Sequence, residues 1–342
     1  MRALQLVSPG QVALREVDLP PIAPDEVLVK VAGAGVCHSD LHLLHLPFPA
    51  PRAMTLGHET AGHVATVGPA VEGFAEGDAV LVYLVWACGT CRACVQGRDN
   101  ACLAAGRQGL PPCPGLGLDG GMAEYIAVKA RFLEPLGTLD PVTAGPLADA
   151  GLTPYHAING VRQRLEPGAT VAVLGVGGLG HVGLQILAAT SAARLVAVDP
   201  SPDKRELAAR HGAHAVLDSD ESTAAAILEL TDGHGADVVL DFVGSQSTVD
   251  LATSVVGADG ALRFVGLAGG SFPYSAGADA LPWGVDVRRT YAGTRSDQRA
   301  VLALAEQGHL HLQAQQYALE DGAKAFADLE AGTVLGRAIL VP

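Results

Sequence analysis

The chain has 342 residues, 49% of them apolar, more than one hydrophobic core usually absorbs, so two domains are expected. Lys and Arg number 22 against 36 Asp and Glu, and the formal charge of −14 repels phosphate backbones and anionic membrane surfaces, which excludes nucleic acid and membrane as expected partners. Six cysteines are too few for a secreted disulfide scaffold, and the opening MRALQLVSPGQVALREVDLP mixes charge with apolar residues instead of forming a signal peptide, so the expected compartment is the reducing cytoplasm.

In chain order, RALQLV, EVLVKVAGAGV, AGHVATVG, DAVLVYLV and AEYIAVKA read as short strands separated by Gly, Pro and Asp clusters, an irregular β-rich domain over residues 1–145. Strand and helix patterns then alternate: TVAVLGV, GLGHVGLQILAAT, RLVAVD, PDKRELAARHG, AVLD, STAAAILELT, ADVVLDFVG and ALRFVGL. That alternation predicts an α/β fold, a doubly wound parallel sheet of Rossmann form over residues 146–284. GLAGGSFPYSAGADALPWG reads as a domain crossing, and residues 285–342, with RRTYAGT, a helical SDQRAVLALAEQG and a final strand RAILVP, are expected to return to the first domain. The apolar run from Val171 to Ala189 is broken by glycines, His181 and Gln185, which disfavours a membrane span.

Between Cys88 and Cys102 lies a CxxCxxC pattern, Cys88, Cys91 and Cys94, with Cys102 following. Four thiolates at this spacing wrap one tetrahedral zinc with no open position, a structural brace. Cys113 nearby reads as an ordinary thiol.

A GxGxxG match means little in a chain with 42 glycines, but here Gly175, Gly177 and Gly180 follow a strand and open a helix. With Gly178 and Leu179 they form a turn whose N–H groups and helix dipole can receive a pyrophosphate. The next strand ends in Asp199, whose carboxylate can accept the adenosine-ribose hydroxyls and would repel a 2′-phosphate, so NAD is preferred over NADP. Lys204 and Arg205 read as solvated surface.

GVCHSDLH, TLGHETAGHVATVG, the cysteine lobe, LADAGLTPYHA, GVGGLGHVGLQ and VAVD together resemble the zinc-dependent medium-chain alcohol dehydrogenases over essentially the whole chain. The resemblance implies a GroES-like first domain, NAD, and two zinc ions per chain. It implies that Cys37, His58 and Asp149 hold a catalytic zinc, that Glu59 approaches the metal when water leaves, and that Asp40 orients His58. Many members carry cysteine at the position of Asp149, and aspartate there resembles a bacterial secondary-alcohol type. Carboxylate in place of thiolate makes a harder, less electron-donating ligand and should sharpen the Lewis acid.

Three protein ligands leave a fourth position, at which zinc lowers the pKa of a bound alcohol; the alkoxide then gives hydride to the nicotinamide. The family pattern further implies a proton relay from Ser39 through the nicotinamide ribose to His42, with His38 and Arg337 at the cofactor phosphates and Thr153 at the nicotinamide. Trp86, Leu116 and Tyr291 are candidates for the substrate pocket wall, and the absence of a basic cluster beside GVCHSD or LADAG points to a neutral alcohol or ketone. A homotetramer is the assembly the resemblance implies, a dimer the alternative. The rival activities are a polyol or amino-alcohol dehydrogenase of the same architecture and a catalytically silent, zinc-braced NAD-binding protein.

Overall fold

The computed structural model describes residues 1–45, 53–275, 277 and 281–342, and the chain divides into two compact units. One comprises Met1–Leu152, Ala292–Gln307 and Leu312–Pro342, the other Thr153–Tyr291 and Gly308–His311.

The first unit is built on a seven-stranded sheet and a three-stranded sheet. In the larger sheet the strands run Ala314–Ala318, Arg337–Val341, Glu26–Val36, Glu59–Val67, Ala79–Val82 and Leu133–Pro135, with Tyr125–Lys129 also paired to Glu26–Val36. The long strand Glu26–Val36 buries Val27, Val29, Val31, Ala34 and Val36 in a core shared with Leu4, Leu6, Val80, Val82 and Leu340. β-Branched residues dominate because they pack well on a pleated surface. The last strand, Arg337–Val341, lies antiparallel to Glu26–Val36, so the C-terminal segment ends against the centre of the sheet that carries GVCHSD.

The second unit holds a six-stranded parallel sheet in the order Ala215–Leu217, Arg194–Val198, Thr170–Leu174, Ala236–Asp241, Val256–Phe264, Asp286–Arg289. The order reverses beside the first strand, Thr170–Leu174, which leaves a crevice at its carboxyl end. Every residue of that strand is buried, as expected for a parallel strand covered on both faces. The helix Gly180–Thr190 buries His181 and Gln185 along with its aliphatic residues, which accounts for the long apolar run; among the described residues no helix is long and apolar enough to cross a membrane.

Two placements differ from the sequence reading. The sixth strand, Asp286–Arg289, lies beyond the expected boundary at 284 yet pairs with Val256–Phe264 in the nucleotide sheet. Arg263, only 1% exposed, pulls it in by donating to the Asp286 carbonyl and pairing with the Asp286 carboxylate. GLAGGSFPYSAGADALPWG therefore links two strands of one sheet and is not a domain crossing, its residues 276 and 278–280 lying outside the described residues. At the other end, residues 146–152 pack with the first unit, and the second begins at Thr153.

Candidate active site and metal centres

Three segments of the first unit converge on one point. Cys37 sits at the end of strand Glu26–Val36, His58 just before strand Glu59–Val67, and Asp149 after the 3-10 turn Gly145–Ala148. Their ligand atoms lie within 4.8 Å of one another. Asp149 Oδ2 is 3.4 Å from Cys37 Sγ and 3.6 Å from His58 Nε2. Ligand bonds of roughly 2.0–2.3 Å in a tetrahedron put donor atoms about 3.3–3.8 Å apart, so the spacing fits zinc. His58 is 2% exposed, and among the described residues neither ring nitrogen has a hydrogen bond, although Asp40 Oδ1 lies 3.4 Å from Nδ1. A buried Nε2 aimed at a thiol and a carboxylate is what a metal ligand requires. Burial works against a positive charge on His58, but Asp40, Asp149 and Cys37 outweigh it and push its pKa well up, so the pocket favours a cation.

Asp40 is fully buried in the first turn of helix His38–His45, and its other oxygen accepts the Cys37 N–H at 2.9 Å. One carboxylate thus faces a ligand imidazole and fixes the backbone of a ligand thiol. Ser39 Oγ lies 3.7 Å from Cys37 Sγ. His42 is exposed one turn further along, on the same helical face as Ser39, and His38 is exposed at the helix start.

Glu59 and Arg337 take positions the sequence reading did not assign. Glu59 is outside the three-residue ligand group: Oε1 accepts the Ala150 N–H at 3.1 Å and Oε2 accepts from Arg337 Nε at 2.8 Å. Burial raises the Glu59 pKa while Arg337 opposes the rise. Arg337, expected at the cofactor phosphates, is 1% exposed, paired with Glu59 and 3.6 Å from Asp149 Oδ2. Gly35 makes room for this pair, since a Cβ there would fall 1.9 Å from Glu59 Oε2.

The four cysteines of the lobe also come together, their sulfurs within 4.8 Å of one another. Cys88 and Cys94 sulfurs are 3.9 Å apart and Cys91 and Cys94 3.4 Å apart, near the edge of about 3.8 Å expected for zinc tetrathiolate. Backbone N–H groups point at the sulfurs, from Cys91 to Cys88, from Leu103 to Cys91 and from Cys88 to Cys102. Amide donation from Thr90 and Cys91 brings the Cys88 thiol down to about 6, whereas burial and the neighbouring Cys91 push Cys94 up to about 12. Cys113 is pushed up to about 12 by burial, as suits an inert thiol.

In the second unit the glycine loop divides its labour. Gly175 takes φ +86° in the turn, and a Cβ on Gly180 would meet the Gly175 carbonyl at 1.9 Å. A Cβ on Gly177 would meet nothing within 4 Å, which leaves the loop surface open for close approach by a pyrophosphate. Leu179, the N-cap of the helix, provides no side-chain cap, so the helix dipole faces that opening. His181 Nδ1 lies 2.9 Å from the Gly177 carbonyl and holds the loop from behind, a contact invisible in sequence. Asp199, 4% exposed, accepts the Val176 N–H at 2.8 Å and the Ser201 N–H at 2.9 Å, each oxygen keeping capacity for a hydroxyl. Thr153 is buried in the first turn of helix Leu152–Asn159.

Arg205 is not the solvated side chain expected: its guanidinium donates to the Asp199 and Pro200 carbonyls and pairs with Asp218. Trp86 stacks on Phe132 with ring centroids 5.5 Å apart and donates to the Tyr83 carbonyl, which commits one face to packing; Leu116 and Tyr291 are half-buried.

Residues 23–138 match the family described as alcohol dehydrogenase GroES-like domain and residues 178–307 that described as zinc-binding dehydrogenase. The chain is 34% identical to an NAD-dependent alcohol dehydrogenase of Sulfurisphaera tokodaii, with 100% of both chains covered. It is also 34% identical to a D-arabinose 1-dehydrogenase (NADP(+)) of Saccharolobus solfataricus, over 96% of this chain and 94% of that one. Among solved structures, the alcohol dehydrogenase of Aeropyrum pernix matches with a TM-score of 0.91 at 35% identity, covering 100% of both chains. With both metal clusters, the nucleotide fold and full-length relatives in agreement, this chain belongs to the zinc-dependent medium-chain alcohol dehydrogenases, oxidoreductases that use NAD and zinc.

Proposed function

We propose that the enzyme interconverts a neutral secondary alcohol and its ketone, in the cytoplasm and as a homotetramer. The observation that carries this reading is the convergence of Cys37, His58 and Asp149 with their sulfur, nitrogen and oxygen donors at ligand spacing. Zinc held by these three residues supplies Lewis acidity that acidifies the substrate hydroxyl, and NAD supplies the hydride acceptor. Cys37 and Asp149 hold the two ligand charges, and Asp40 keeps the His58 ring in register. With NAD bound, Ser39 would take the substrate proton at its hydroxyl, and His42, exposed one turn further along the same helix, would release it to water. His38 would hold the cofactor phosphates and Thr153 the nicotinamide.

The preference for a neutral substrate rests on Arg337. This cation beside the ligand cluster is buried and engaged by Glu59, so it does not serve a substrate carboxylate or phosphate. Sugar oxidation is the second reading, favoured by the relative named for D-arabinose. Steady-state kcat/KM with NAD over a panel of 2-butanol, cyclohexanol, ethanol, D-arabinose and glycerol decides between them. Highest values for the secondary alcohols support the proposal; highest values for the sugar overturn it. Sedimentation velocity tests the tetramer, and a dimer mass would refute it.

A further inference from the structure

The adenosine-ribose end of the nucleotide site contains a cation that is tethered. Strand Arg194–Val198 delivers Asp199, and helix Pro202–Arg210 turns back over it. From the first turn of that helix, Arg205 Nη1 donates to the Asp199 carbonyl at 2.7 Å and the Pro200 carbonyl at 2.9 Å. The same nitrogen lies 3.1 Å from Asp218 Oδ1, at the end of the neighbouring strand Ala215–Leu217. The Arg205 side chain is 20% exposed and that of Asp218 49%. A guanidinium beside the residue that reads the ribose is the group that would accommodate a 2′-phosphate. Here two carbonyls and one carboxylate engage its Nη1 instead, and the carboxylate offsets its charge.

We infer that Asp218 is a positioning residue for cofactor selectivity: it holds Arg205 against the Asp199–Pro200 carbonyls and so withholds this guanidinium from a 2′-phosphate. Discrimination against phosphorylated cofactor is then divided. Asp199 repels the phosphate directly, and Asp218 acts through Arg205. The inference rests on NAD occupying the glycine-loop site. Asp218 Oδ1 also accepts the Ser219 N–H at 2.7 Å, a contact an amide oxygen can keep, so Asp218→Asn removes the charge while sparing the turn.

The test is a double-mutant cycle on the zinc-loaded enzyme, read by binding. NADH and NADPH are titrated by nicotinamide fluorescence, and 2′-AMP and 5′-AMP by calorimetry, for wild type, Asp218→Asn, Arg205→Ala and the double variant. Asp218→Ser serves if the asparagine variant does not fold. Asp218→Asn is expected to tighten NADPH and 2′-AMP about fivefold, the scale of a partly exposed ion pair, with the gain shrinking in high salt. NADH and 5′-AMP stay unchanged, and the gain vanishes in the Arg205→Ala background. An equal gain in both backgrounds would reduce Asp218 to diffuse charge, and no gain with NADH binding intact would overturn the role outright. Failure of the wild type to bind NADH would instead sink the nucleotide reading, and this inference with it.

Discussion

The two cysteine-containing clusters of the first unit solve opposite problems. The lobe draws all four sulfurs from one stretch, Cys88 to Cys102, leaves three of them half-buried, and stabilises their charge with its own amides. The Cys37–His58–Asp149 cluster draws on three distant segments and buries its histidine, and Arg337, from the C-terminal strand, lies 3.6 Å from Asp149 while pairing with Glu59. A local cluster can be tight and closed at little cost in chain ordering. A non-local one is held by the whole sheet, and can therefore leave a coordination position free without collapsing.

The sharpest way to break this contrast is Asp149→Ala. Metal analysis should show two zincs per chain falling to about one, with NADH formation reduced by at least about a thousandfold and the cysteine lobe still loaded. One zinc in the wild type, unaffected by the substitution, would leave only the lobe. Next in size is Arg337→Met. Leaving Glu59 buried without its partner should cost about 3–5 kcal/mol in chemical denaturation, whereas a change under about 1 kcal/mol would make the pair dispensable. Asp40→Asn should weaken the catalytic zinc about 10- to 100-fold in a chelator competition and spare the lobe zinc. The smallest effect is expected from Asp149→Cys, which keeps the ligand charge. Zinc should stay bound while single-turnover hydride transfer slows by up to about tenfold; an unchanged rate would deny aspartate any electronic role.

The same contrast explains what was legible beforehand. Cysteine spacing within one lobe, and a glycine loop between a strand and a helix, are local patterns, and both could be read directly from the residues. Cys37, His58 and Asp149 are too far apart in sequence for spacing to join them, and only the family resemblance brought them together. The Glu59–Arg337 pair escaped because it depends on the C-terminal strand lying against Glu26–Val36, next to Glu59–Val67, a pairing between residues 278 apart in sequence. Asp286–Arg289 escaped because DVRR carries no apolar alternation; its place in the sheet is set by Arg263 on the adjoining strand. Arg205 looked like surface because nothing in the helix sequence announces that Asp218 ends the next strand beside it.

Gly35 carries the non-local logic furthest. It stands directly across from Glu59 in the paired strands, and its hydrogen occupies the place where any other residue would put carbon 1.9 Å from the glutamate oxygen. A position with no functional group thus helps set the geometry of the ligands themselves. Alanine there would act as a wedge, and the damage would surface two residues away in the geometry of Cys37. The shape of this site is therefore limited by a hydrogen atom as well as by a thiol.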